Sequence, residues 1–574
     1  MSKILPCMYQ VPENASFAET VAREALEFTK KMVRCGILVL GVAGIVGCNS
    51  HTESSGSEAT GNGRAGAATG VRTLKRGLPG EPQTLDPQLA DDTFSFQVVR
   101  DLYEGLTAED RYGQIVPGVA NSWTVDKTGT LYTFQLRPNA KWSDGKRTVA
   151  AEFVEGLRRA VDPKTASGSA ALLAVIKGAS DVTAGRKKVT DLGALAVGES
   201  SVQIELERPA PFLLQILSQP IAAPVHLTGN AAPAIASGER NTATNGPYVL
   251  VTRIPNSLID LARNPYYWDS TNVSIGDVRY INTESEATEL REYVAGQLDM
   301  TFTLPTPDIK RISQSYGSEV QSSPILGTFY LALNLSKSPM KNSTALRQAL
   351  SMAVDREAIA QYVMMDVTPA YTFVAKGISG YVPPEYPWSK WSRDRQLTYA
   401  KSLLERAGYS ANNILHVKLY FNRDEGIHRI MVAVAGGWKQ NLGVESELIS
   451  DEFRVFLAGR KDRSRWDVAR LGWNADYDDP ASFLDVFARD NGQNDPGYES
   501  ATFNELIDKA RMEPLPDRRL ILLRQSEQVL LDDYPIIPIY FYKARRLVKP
   551  YLGGAEITPM NHTYSKHLYW KNAS

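Results

Sequence analysis

Between Arg470 and Pro480 the chain reads Arg-Leu-Gly-Trp-Asn-Ala-Asp-Tyr-Asp-Asp-Pro, an aromatic run that opens on a guanidinium and ends in carboxylates. Arg470 offers a planar fork that fits a carboxylate. Asp476 offers a negative charge that fits an ammonium, and Trp473 a stacking platform between them. Opposite charges held apart in this way suit the capture of a zwitterion better than the breaking of a bond. Asp478 and Asp479 are the paired acids a hydrolase would need. Neighbouring residues usually point apart, however, and retaining glycosidases hold their carboxyls about 5–5.5 Å from one another. Neither a Gly-x-Ser-x-Gly elbow nor a metal motif is present, so the residues predict a binder without cofactor, not an enzyme. Taken singly, Asp476 could cap a turn before Pro480, Arg470 could pair with Asp467 at the surface, and His428 could be a solvent-facing helix residue.

The rest of the composition narrows the classes. A net charge of -1 gives no global field for nucleic acid, and no nucleic-acid partner is expected. The three cysteines are Cys7, Cys35 and Cys48, with none after Cys48. A body without thiols has no disulfide, no thiolate chemistry and no cysteine-based metal site. The six histidines are scattered, and no metal site is expected.

The apolar run Cys35–Gly47 follows Lys30, Lys31 and Arg34. It is too short for a stable bilayer span and matches a signal-peptide core behind a basic region. Its end, Ile45-Val46-Gly47-Cys48, resembles the lipobox of bacterial lipoproteins, in which the cysteine thiol carries diacylglycerol. Residues 32–47 are therefore expected to be a lipoprotein signal peptide. Residues 48–71, rich in Ser, Gly, Thr and Ala, cannot bury enough surface to fold and are expected to be a tether. Anchoring through Cys48 would place the body in the periplasm or on the outer side of the cytoplasmic membrane. Residues 1–31 are polar and helix-prone, unlike a leader, which suggests a true start at Met32 and an untranslated or non-native extension before it.

Short strands and amphipathic helices alternate from Thr73 onward. Tyr132, Phe134 and Leu136 alternate as a half-buried strand does, and Trp142-Ser-Asp-Gly145 makes a turn. Phe153, Leu157, Ala160 and Val161 recur at helical spacing. So do Leu346, Leu350, Ala353 and Val354, and again Leu520, Leu523, Leu530 and Leu531. The mixture predicts α/β lobes. Pro220–Gly246 reads as lobe surface or crossover, and Gly380–Ser389 as an ordered, exposed loop.

Ordered landmarks run through the body. They include Leu85-Asp-Pro87, Asp101-Leu-Tyr-Glu-Gly-Leu106, Lys141-Trp-Ser-Asp-Gly145, Thr244-Asn-Gly-Pro-Tyr248, Arg263-Asn-Pro-Tyr-Tyr-Trp268, Ala353-Val-Asp-Arg-Glu357, and Ala544 to Gly554. With Trp473–Pro480 they resemble the extracellular solute-binding proteins of family 5 over residues 73–573, and the oligopeptide branch in particular. The resemblance implies a bilobal periplasmic-binding-protein fold, class II-like, with an extra α/β domain inserted in lobe I. By landmark order, lobe I would comprise 72–103, 228–326 and 544–574, the extra domain 104–227, and lobe II 327–543. It further implies a monomeric receptor that captures short peptides and hands them to the membrane permease of an ATP-driven importer. Alternatives within the family are a specific cell-wall or signalling peptide, or a dipeptide. Asp476 would meet the peptide's ammonium, and Arg470 and His428 its carboxylate at different lengths. Gly472, Trp473 and Asn474 would lie along the ligand, with Asp91 beside it. The sequence departs from the branch in having no tyrosine in Ala166–Leu172 and no lysine near Met364. Gly327 and Asn474 stand where enteric members carry cysteines.

Overall fold

The computed structural model describes residues 72–227, 242–305, 308–489 and 491–571. Cys48, the leader, the tether and the start at Met32 lie outside the described residues.

Strand β1 (Thr73–Leu78) leads to helix α1 (Thr93–Leu102), whose N-cap Asp92 accepts from the N–H groups of Phe94 and Ser95. An antiparallel sheet follows, built from β2 (Ala120–Val125), β3 (Leu131–Leu136), β4 (Ala194–Val197) and β5 (Ser201–Glu205) in the order β2-β3-β5-β4. On β3, Tyr132, Phe134 and Leu136 are buried, as their alternation predicts. Helix α2 (Ala150–Val161) buries Phe153, Leu157, Ala160 and Val161. Gly145 closes the predicted turn at φ +85, its N–H donating to Trp142 O at 2.9 Å. Pro220–Val225 is buried, with Ile221 and Ala223 in different apolar clusters, as a crossover would be; residues 228–241 lie outside the described ones.

The chain then returns to β1. Strands β6 (Tyr248–Ile254), β7 (Leu258–Arg263) and β8 (Asp277–Asn282) complete a second sheet in the order β1-β8-β7-β6, with β1 parallel to β8.

The third sheet carries the candidate site. It combines β9 (Val320–Leu333), β10 (Thr368–Pro369), β11 (His416–Asn422), β12 (Glu445–Asp451), β13 (Val468–Asn474) and β14 (Ile536–Leu547), ordered β10-β14-β9-β13-β11-β12. Central β9 is covered on both faces. Phe329, Leu331 and Leu333 join a cluster with Leu346, Leu350 and Trp438, while Tyr330 and Ala332 join one with Phe373 and Phe487. At the predicted helical spacing, Leu523, Leu530 and Leu531 are buried on Pro516–Asp533. Strands β9 and β14 also extend past this sheet. Val320–Pro324 pairs with Lys543–Leu547, the register shifts, and pairing resumes at Thr328 with Phe541. Leu547 is then tied to Thr301 in both directions, at 2.9 and 3.0 Å.

Gly380–Ser389 departs from the exposed loop expected of it. Tyr381, Tyr386 and Trp388 are buried. The Tyr381 hydroxyl donates to Glu527 at 2.5 Å, and Tyr386 stacks on both Trp388 and Tyr534. Proline-rich backbone does not preclude burial when the aromatic side chains bring a large apolar area and their own polar handles.

Candidate functional site

The site grows from the C-terminal end of β13. Arg470 stands opposite Leu331 in the ladder, and its guanidinium lies 5.1 Å from the Phe329 ring. Asp467 is not its partner. That carboxylate takes Lys337 at 3.0 Å and the Lys418 N–H at 2.8 Å. Among the described residues no carboxylate pairs with Arg470, and its buried Nε has no hydrogen-bond partner. Burial raises the pKa of the Tyr542 hydroxyl, against the pull of the Arg470 guanidinium that bonds to it.

Gly472 is required by close approach: a Cβ there would stand 2.1 Å from the Tyr542 hydroxyl. Asn474, exposed at the strand end, lies directly opposite Gly327, where a Cβ would come within 2.3 Å of Asn474 Oδ1. Trp473 is half-buried, and its indole N–H is buried without an acceptor.

Arg470, Gly472 and Trp473 line one recess of about 260 Å³, together with Tyr330, Phe453, Phe456, Leu457 and Arg460. The helical members come from Phe453–Gly459, N-capped by Glu452. That helix leaves Phe453 49% and Leu457 37% exposed, apolar surface beside the Arg470 guanidinium and an Arg460 already paired at 3.3 Å with Asp495, which also lines the recess. Sequence reasoning missed this wall. The signal was the Phe453-x-x-Phe456-Leu457 pattern just upstream of β13.

Beyond the strand, three carboxylates in one turn have three different environments. Asp479 accepts both arms of Arg519 at 2.7 and 2.9 Å, and caps the next helical turn through the Ala481 N–H. The capping role that Asp476 could have filled belongs to Asp479. Asp478 is half-buried with one oxygen unpartnered. Burial, then the charges of Asp479 and Glu109, raise its pKa to about 6. Asp476 is open to water, yet protein crowds it enough to raise its pKa to about 6 by desolvation alone. Among the described residues no cation answers it. Its backbone N–H is fixed by Ser482 Oγ at 2.7 Å.

The turn is braced by the 104–227 segment. Tyr477 stacks on Phe212 at 4.3 Å with a 7° tilt, and Gln215 donates to Asp478 O at 3.3 Å. With Asp479 locked to Arg519, the adjacent acids cannot work as a catalytic pair.

The other predicted residues lie on separate elements. His428 is exposed on helix Glu425–Leu442, 5.9 Å from the Phe421 ring. Asp424, which caps that helix, and Arg470 both act on the Tyr540 hydroxyl. Asp91 is exposed just before α1, and a Cβ at Gly168 would come 3.0 Å from its Oδ2. Asp91 thus faces the segment in which the oligopeptide branch carries a tyrosine.

Comparison with known proteins adds a second line of argument. Residues 114–495 match the model of bacterial extracellular solute-binding proteins, family 5 Middle. The periplasmic oligopeptide-binding protein OppA of Salmonella typhimurium is 36% identical over 508 residues, 87% of this chain and 92% of that one. The unliganded open form of the periplasmic murein tripeptide-binding protein MppA superposes with a TM-score of 0.77 at 32% identity, covering 87% of this chain and 97% of the other. Haemophilus influenzae OppA in complex with the peptide RPPGFSPFR gives a TM-score of 0.73 at 30% identity, covering 87% and 98%.

Proposed function

Because the chain belongs to the bacterial extracellular solute-binding proteins of family 5 and shares their bilobal α/β fold, we propose that it captures short peptides between two lobes and delivers them to the permease of an ATP-driven importer. The observation that carries this reading is Asp476, a water-accessible carboxylate that neighbouring protein partly desolvates and that no cation answers among the described residues. It stands three residues past a recess that holds the Arg470 guanidinium, which bonds to the Tyr542 hydroxyl and has no carboxylate partner among the described residues. In a folded protein, charged groups crowded by protein normally find partners. Two left open, of opposite sign, await a ligand that carries both charges.

In this reading Asp476 takes the ammonium, Arg470 the carboxylate of a short peptide, and His428 that of a longer one. The recess beside Trp473 takes a side chain without dictating which, since its walls offer aromatic faces, the Arg470 guanidinium and the Arg460–Asp495 pair. The lobes move on the paired strands β9 and β14, whose register shifts between Pro324 and Thr328. Closure on the peptide selects the conformation that docks. Cys48 anchors the receptor to the membrane.

Mass spectrometry of ligand released from native protein identifies the cargo. Calorimetry with tri- to pentapeptides, free and amino-acetylated, tests the anchor. Free peptides bind and acetylated ones lose roughly tenfold or more. Equal affinity for both sinks the assignment of Asp476, and peptides recovered cleaved after incubation sink the non-catalytic reading.

A further inference from the structure

Two arginines are buried together away from the peptide site. Arg76, on β1, and Arg546, at the end of β14, are 3% and 4% exposed. Both line a small cavity of about 10 Å³ with Gly77, Gln97, Met300, Thr301, Phe302 and Asn561. That is room for one water-sized particle. Arg76 is well supplied with partners. Its guanidinium donates to Tyr280 Oη, Ser565 Oγ and Thr563 O, and stands 3.8 Å from Asp101. Arg546 is not. Its two terminal nitrogens donate to the neutral oxygens Thr563 Oγ1 and Asn561 Oδ1, and its buried Nε has no partner.

The charges near the cavity leave Arg546 under-compensated. Arg76 repels it. Glu289 attracts it, but that carboxyl already accepts the Phe302 N–H at 2.6 Å and the Thr303 N–H at 3.4 Å. Burial raises the Glu289 pKa to about 8, which makes it a weaker counter-charge for Arg546. Burial, then Arg76, depress the Arg546 pKa to about 9. Thr301 Oγ accepts from the Leu547 N–H, which leaves its own hydrogen free to donate. An unpartnered guanidinium N–H, a free hydroxyl hydrogen and a second guanidinium around a space of one water's size are the donor set of a small-anion site.

We propose that this cavity binds a single monovalent anion of halide size, held by Arg546 Nε–H and the Thr301 hydroxyl with Arg76 as the second positive charge. The anion would tie together β1, the 300–302 segment, the end of β14 and the 561–565 segment. These elements meet where β14 leaves the six-stranded sheet. The site therefore stabilises the root of the strand pair on which the lobes turn, without touching peptide.

Crystals of the protein grown without halide and soaked in sodium bromide test this directly. An anomalous peak is expected between Arg546 and Thr301, and a water there, or no peak, overturns the proposal. In solution, sodium chloride or bromide should raise Tm saturably by about 2–3 °C over sodium gluconate of equal ionic strength, the shift of a ligand at roughly 100 times its Kd acting on a chain this long. Equal Tm in all three salts also overturns it. Arg546→Met should abolish both the peak and the halide-specific rise; a halide-specific rise that survives in the variant counts against the site. Should that variant not fold, the bromide peak in the unaltered protein decides alone.

Discussion

Lowering the pH from 7 to 5 should weaken peptide binding about tenfold through one side chain. The free Asp476 carboxyl has a pKa of about 6 because protein displaces water around it and no cation replaces that water. A bound ammonium would favour the charged form and bring the pKa of the complex down. Binding then releases a proton near pH 6, so affinity rises with pH and levels off above about 7. At pH 7 roughly nine-tenths of the free receptor is ready, at pH 5 roughly one-tenth, a loss of about 1.4 kcal/mol. The range is chosen so that the peptide's own amine, with a pKa of about 7.7–8.0, stays charged. Calorimetry with trialanine in two buffers of different ionisation enthalpy should show about half a proton released at pH 6. Asp476→Asn should bind more weakly by about 1.5–3 kcal/mol at pH 7 and lose the pH dependence. Asp478 also has a pKa raised to about 6, so Asp478→Asn serves as the control and should keep the wild-type slope. A tenfold fall that persists in Asp476→Asn, or binding without proton release, would refute the reasoning.

Arg470→Met should weaken peptides with a free carboxylate by about 1.5–3 kcal/mol, and leave carboxy-amidated peptides unaffected in the same calorimetric titration. Arg519→Met strands Asp479 as a buried charge without its bidentate partner; urea denaturation should show about 3–5 kcal/mol of lost stability. Glu527 is fully buried, and burial lifts its pKa to about 7 against four donors. Its folded-state pKa lies above the unfolded one. Its favourable contribution is therefore complete below about 4.5 and disappears as pH rises through 7. The gain in wild-type Tm from pH 8 to pH 5.5 should shrink in Glu527→Gln.

What the sequence disclosed followed from short-range periodicity. The alternation at Tyr132, Phe134 and Leu136 and the helical spacing at Phe153 to Val161 are set by burial of one face, so local order was enough. The charges at Arg470 and Asp476 were legible because strand and turn carry them within one motif. The wall of Phe453, Leu457 and Arg460 was not, since its members come from a separate helix and meet Trp473 only in three dimensions. Tyr542 was missed for the same reason: it reaches Arg470 across the sheet from β14, and Gly472 is glycine because of it. The exposed loop expected at Gly380–Ser389 failed because proline content reports turn geometry, whereas burial there is decided by Glu527 and Tyr534, far along the chain.

The separation of the two open charges limits what can satisfy both. Arg470 and Asp476 are six residues apart, and an extended chain spans at most about 3.3–3.6 Å per residue, so their backbones are no more than roughly 20 Å apart. Strand β13 runs straight from Arg470 to Asn474, which keeps the guanidinium from folding back to neutralise the carboxylate. Each therefore stays unpaired in the free receptor. An extended peptide of about five or six residues spans that upper limit, so nothing longer is needed to reach both charges at once. In the proposed reading a longer extended peptide leaves its carboxyl end elsewhere, and His428, exposed on its own helix, is the side chain assigned to meet it. In the proposed reading recognition goes by termini in place of side chains, because Asp476 and Arg470, which no opposite charge answers among the described residues, match groups that every short peptide has.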